Sequence, residues 1–131
     1  MTVRSRNQRS ERGSTSVEIT LAAPLAIFLL LLIVQYAMWA HATHIAQAAA
    51  NTGVQAARVY GGSATAGEED TQAVLDQMAG SILTGANVAV EVTGTQATVT
   101  VTGTAMAVLP GIAVPVHATV TAPRELVPGT P

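Results

Sequence analysis

The side chains that could carry chemistry are few and widely spread. His41 and His44 stand three apart, a spacing that puts both imidazoles on one face of a helix, as two ligands of a metal ion would stand. No third ligand accompanies them in the sequence. Tyr36 and Trp39 lie just before them, so the neighbourhood reads as an aromatic belt at a membrane–water boundary. Glu68, Glu69 and Asp70 are adjacent, not spaced like the oxygen ligands of a calcium loop, and suit the positive end of a helix dipole. His117 falls on the polar face of a strand. No phosphate-binding glycine loop, Ser-x-x-Lys, Gly-x-Ser-x-Gly or His-Glu-x-x-His pattern occurs, so no catalysis, cofactor, bound metal or small-molecule substrate is expected. One carboxylate remains to be explained: Glu18, at the entrance of a long apolar run.

Composition sets the bounds. With 131 residues the chain has room for one small domain, and at 49% hydrophobic but 3% aromatic its core must come from Ala, Val, Leu and Ile. The absence of cysteine excludes a disulfide framework, a thiolate metal site and a lipoprotein anchor. All six cations are arginines, and the formal charge of −2 hides a division. Arg4, Arg6, Arg9 and Arg12 against Glu11 make the first thirteen residues +3, whereas Arg58 and Arg124 against seven acids make the remainder −5. Four arginines are too few to argue for nucleic acid; placed before an apolar run, they read as a topology signal.

That run extends from Ile19 to about Ala40 without a charge. As a helix it covers roughly 30 Å, the thickness of a bilayer's hydrocarbon. Arginines before it and acids after it predict a single pass through the cell membrane, N-terminus cytoplasmic and the rest extracytoplasmic. Pro24 lacks an amide donor and crowds the carbonyl of Thr20, so a bend is expected there.

Helical periodicity continues outward. Ala46, Ala49, Ala50, Gly53, Ala57 and Tyr60 fall on one face of small side chains, suited to close approach of another helix, although an ordinary alanine-rich amphipathic helix has the same pattern. "GGSATAG" at 61–67 is expected to break it. A second helix follows, capped by Asp70 or Thr71, with a stripe at Val74, Leu75, Met78, Ala79, Ile82 and Leu83. From Asn87 the period is two. Val88, Val90 and Val92, a Gly94-Thr95 turn, then Ala97, Val99 and Val101 make a hairpin, and Val114 to Val120 make a third strand whose Pro115 suits a sheet edge. The second helix is the expected cover for the valine face. The reading is an α+β fold: a basic cytoplasmic leader (1–13), a transmembrane and extended N-terminal helix (14–60), a Gly-rich linker (61–67), a head of one short helix and a three-stranded antiparallel sheet (68–122), and a loose tail (123–131).

The stretch "RGSTSVEITLAAPLAIFLLLLIVQY" resembles the N-terminus of TadE-like proteins, the pilin-like components of tight-adherence (Flp-type) pilus systems. In that family a basic leader ends in glycine, glutamate is the fifth mature residue and proline follows six later; those positions are Gly13, Glu18 and Pro24 here. "AQAAANTGVQAARV" and the valine-rich C-terminal part resemble the family more loosely. Ile19 stands where major Flp pilins carry Tyr, which favours the minor class. Gln35 stands where relatives often have an acid, and Thr52 to Gln55 where they often have an Arg. The resemblance implies a non-enzymatic pseudopilin, with prepilin peptidase, other pilin-like subunits and the pilus assembly machinery as partners. Cleavage after Gly13 would free the amine of Ser14, one helical turn from Glu18. An unpaired carboxylate in hydrocarbon costs about 2.5 kcal/mol or more, and a partner amine lowers that cost. Two other readings compete. In the first, Ala40-His41-Ala42 is a small-x-small site from which signal peptidase would release a soluble domain beginning at Thr43; in the second, the chain is an uncleaved signal anchor displaying a binding head.

Overall fold

The computed structural model describes residues 2–59 and 61–125, with side chains described from residue 16 onward. The architecture is the α+β one expected: α1 (Thr2–Arg58), α2 (Ala64–Met78), and an antiparallel sheet of β1 (Leu83–Val92), β2 (Gln96–Ala105) and β3 (Val114–Pro123) in the order β1-β2-β3. The chain divides into two units, Met1–Val34 and Gln35–Pro131.

The first unit is helical. From residue 16 to 34 its side chains are exposed, Leu31 alone being half-buried. They include Ile19, Leu25, Phe28, Leu29 and Ile33. An apolar surface all round a helix has no stable place in water, and suits a hydrocarbon surround. α1 continues through Pro24, which lacks the N–H that the Thr20 carbonyl would otherwise accept. The Thr20 hydroxyl donates to the Ser16 carbonyl at 2.8 Å.

In the second unit the last turns of α1 supply the largest single share of the core. Ala42, Ile45, Ala46, Ala49, Ala50, Val54 and Ala57 are buried together with Ala97, Val99 and Val101 of central strand β2 and with Val116 and Ala118 of β3. The cover over the valine face is therefore shared: α2 lies against β1, with Gly67 beside Val90, and the buried face of α1 joins the same core. The small-residue stripe explains why: alanines let the helix lie close against branched valines, and the β2 side chains Ala97, Val99 and Val101 are fully enclosed. From α2 only Leu75 and Thr71, with Gly67, are buried; Met78 is about half exposed.

α2 starts earlier than expected. Ser63, extended at φ −141° and ψ 165°, accepts from the Ala66 amide at 3.1 Å, so it and not Asp70 or Thr71 is the cap. Residues 64–67 of the expected linker are therefore helical. Gly67 acts in packing, with its Cα against the Gly53 carbonyl and the Ala57 side chain of α1.

β1 begins at Leu83, not Asn87. Two residues, Gly85 and Ala86, stand opposite Gly103 alone, between the pairs Thr84↔Thr104 and Asn87↔Thr102. This bulge shifts the alternation by one place, so Leu83 before it and Val88, Val90 and Val92 after it all face the core. The β1–β2 turn falls where expected, but Gly94 does not use a positive φ. The Thr93 hydroxyl shapes it instead, accepting from the amides of Thr95 and Gln96. β3 is an edge strand, as Pro115 required. Past it, Arg124 N donates to the Thr95 carbonyl at 2.9 Å and Glu125 N to the Arg58 carbonyl at 2.7 Å, so residues 124 and 125 of the expected loose tail are held. Residues 126–131, and Tyr60 of the small-residue face, lie outside the described residues.

Candidate membrane and assembly segment

The residues singled out for processing and assembly all lie on α1. Gly13 and Ser14 fall within its helical span, and their surroundings lie outside the described side chains. Glu18 is exposed, one helical turn beyond residue 14. Pro24 is exposed one turn and a half further on. The exposed apolar surface runs from Ile19 to Val34, and among the described residues α1 is the one helix long and apolar enough to cross a membrane, with a window of mean hydropathy 2.6 of which none is buried.

At the far end of that segment the environment changes within one residue. Val34 is exposed, whereas Gln35 is 6% exposed. Its carboxamide oxygen accepts from the backbone amides of Val108 at 2.7 Å and Leu109 at 3.4 Å, and its nitrogen donates to the Met106 carbonyl at 3.1 Å. Three backbone groups of the β2–β3 loop are thus satisfied by one side chain. A carboxylate could accept from the two amides but could not donate to the Met106 carbonyl, so glutamine is the residue type this loop calls for. The sequence flags Gln35 only as a departure from the family pattern. Its role escaped because its partners lie more than seventy positions away.

One turn later the Trp39 indole N–H donates to the Pro115 carbonyl at 3.1 Å, and the Tyr36 and Trp39 rings stand 5.8 Å apart, tilted by 38°. Tyr36 is exposed, as are His41 and His44. His117 is exposed on β3, its Nε2 3.0 Å from the Thr119 hydroxyl. On the same polar face Thr98 and Thr121 share a hydrogen bond of 3.0 Å. No group of three metal-ligating side chains forms among the described residues.

The matched family agrees with the N-terminal motif. Residues 13–55 match the family model described as TadE-like protein. The matched stretch opens at Gly13 and runs through Glu18, Pro24, the apolar segment and most of the small-residue face, and over this segment, less than half of the chain, the sequence is similar to TadE-like proteins. The match includes the helix that is long and apolar enough to cross a membrane. α2 and the sheet lie beyond the match. No curated protein and no solved structure matches the chain.

Proposed function

We propose that the chain is a minor pilin, or pseudopilin, that takes part in assembling a Tad/Flp-type pilus or a related secretion machine. It would be held in the cell membrane by α1, leader in the cytoplasm and head outside. The observation that carries this reading is one continuous order along α1: the family-matched Gly13–Glu18–Pro24 motif, then an all-round apolar surface, then a face that forms the core of the head. A helix that is at once anchor and core strut suits a subunit that must be drawn from a membrane as one piece. Prepilin peptidase would cut after Gly13, removing the four leader arginines and freeing the Ser14 amine. Glu18 would then pair with an amine, its own or a neighbouring subunit's; only the neighbour's gives assembly a register.

The same observation weighs against a secreted domain. A cut after Ala42 would fall within the buried face of α1 and take with it Gln35 and Trp39, whose side chains hold Met106, Val108 and Pro115. The test is the intact mass of the protein from native membranes. A mature N-terminus at Ser14 supports the proposal, one at Thr43 replaces it with the secreted domain, and an intact leader with the signal anchor. Gly13→Leu should block the cut, since a glycine at that position presents the peptidase with no side chain; a Leu variant still matured at Ser14 would remove the peptidase assignment.

A further inference from the structure

The loop between β2 and β3 has a composition unlike the other connections of the head. From Ala105 to Val116 it carries no charged residue and no polar side chain: "AMAVLPGIAVPV". Leu109 is buried beneath it, and the Ile112 amide closes a turn onto the Leu109 carbonyl at 3.4 Å. Pro110 and Gly111, the latter at φ +79°, are the two central residues that a type II turn requires. The turn drives Leu109 inward and leaves Met106 and Ile112 about two-fifths exposed. By contrast the β1–β2 turn is Thr93-Gly94-Thr95, and the α1–α2 connection ends in Gly61-Gly62-Ser63.

Three hydrogen bonds tie this loop to Gln35, the residue that follows the apolar segment in the chain, and a fourth ties Pro115 to Trp39. Trp39, so bonded, has Tyr36 beside it, and these are the two residue types that settle at the level of lipid headgroups. We propose that residues 106–113 are a membrane-contacting loop: Met106 and Ile112 enter the lipid interface beside Tyr36, so that the head rests on the bilayer at this end instead of hanging free from its helix. The occupant is lipid because the loop's bonds lead to the residue that ends the apolar segment, and because Ala105 to Val116 offers no charged or polar side chain to a protein partner. Gln35 acts as the clip. It satisfies three of the loop's backbone groups from within the protein, as a backbone entering a lipid interface needs.

The inference rests on the membrane-spanning reading of α1, and the test separates the two. The natural chain has no cysteine, so single substitutions Ile112→Cys, Met106→Cys, Leu29→Cys and Thr121→Cys can each carry an environment-sensitive fluorophore. The full chain is reconstituted in phosphatidylcholine vesicles and quenched either by aqueous iodide or by nitroxides on the lipid. Labels at 112 and 106 should be quenched by lipid nitroxide and be severalfold less sensitive to iodide than the label at 121, near the other end of β3. If position 112 is as open to iodide as 121 while 29 is protected, the loop proposal fails and the span stands. If 29 is open as well, the span itself fails and the proposal with it. Protection at 112 that disappears on dilution with excess lipid would assign the cover to a second copy and overturn the proposal.

Discussion

α1 and α2 approach each other closely at Gly53, which gives a quantitative expectation. A Cβ on residue 53 would overlap the Thr71 hydroxyl oxygen and stand 2.8 Å from the Gly67 carbonyl, inside van der Waals contact on both sides. Thr71 cannot swing away without cost, because it is fully buried and its hydroxyl donates to Gly67 at 2.6 Å. In an isolated helix, alanine is favoured over glycine by about 1 kcal/mol. Against that gain, breaking the buried hydroxyl's bond costs about 1–3 kcal/mol and overpacking costs about 1–3 kcal/mol more. The prediction for Gly53→Ala is a net loss of about 1–5 kcal/mol, centred on about 3 kcal/mol, which for a head of under a hundred residues lowers Tm by roughly 12–24 °C at that centre. Trp39 is the one tryptophan and is bonded into the head, so its fluorescence in the full chain in detergent micelles reports the transition. Thr71→Ala should lower Tm alone, but the double variant should lose less than the sum of the singles, because the overlapping hydroxyl is gone. A Gly53→Ala protein that melts at or above the wild-type temperature would refute the reasoning. Strictly additive losses would show that Thr71 is not the obstacle.

The remaining predictions concern the clip, the sheet and the carboxylate. Gln35→Leu strands the Val108 and Leu109 amides and the Met106 carbonyl, at about 1–3 kcal/mol for each group that water does not reach; Gln35→Glu keeps the acceptor and should lose less. Equal Tm values for wild type and Leu variant would show that the loop does not depend on this side chain. Val99→Asp buries a charge in the core and should unfold the head, whereas Thr100→Asp, on the opposite face, should be tolerated; limited proteolysis compares them, and equal sensitivity would mean the facing is wrong. Glu18→Gln keeps the shape and removes the charge. It should still be cut after Gly13 and stay in the membrane, but its crosslinking to pilin-like subunits should fall sharply, and a Gln variant that crosslinks like wild type excludes the charge-pair account.

The sequence by itself determined whatever one segment can report. The uncharged run from Ile19 set the span, the Gly13, Glu18 and Pro24 spacing pointed to the TadE-like match, and period-two valines at 97–101 set the inward face of β2. These are legible because helix and strand periods, caps and hydropathy are written over a few neighbouring residues. Tertiary structure decided which faces meet. The face of Ala42 to Ala57 could as well have met another helix, and only the three-dimensional packing put it over the valines. The bulge at Gly85 and Ala86 hid the first residues of β1, because an extra residue breaks the alternation that reveals a strand. Ser63 outranked Asp70 as the cap because Gly67 had to sit inside the helix, against Gly53, to let α1 and α2 meet. Gln35, an uncharged residue where relatives often have an acid, acquired its meaning only when a loop more than seventy positions away folded back onto it, since a hydrogen bond's partner is chosen by the fold and not by its neighbours in the chain.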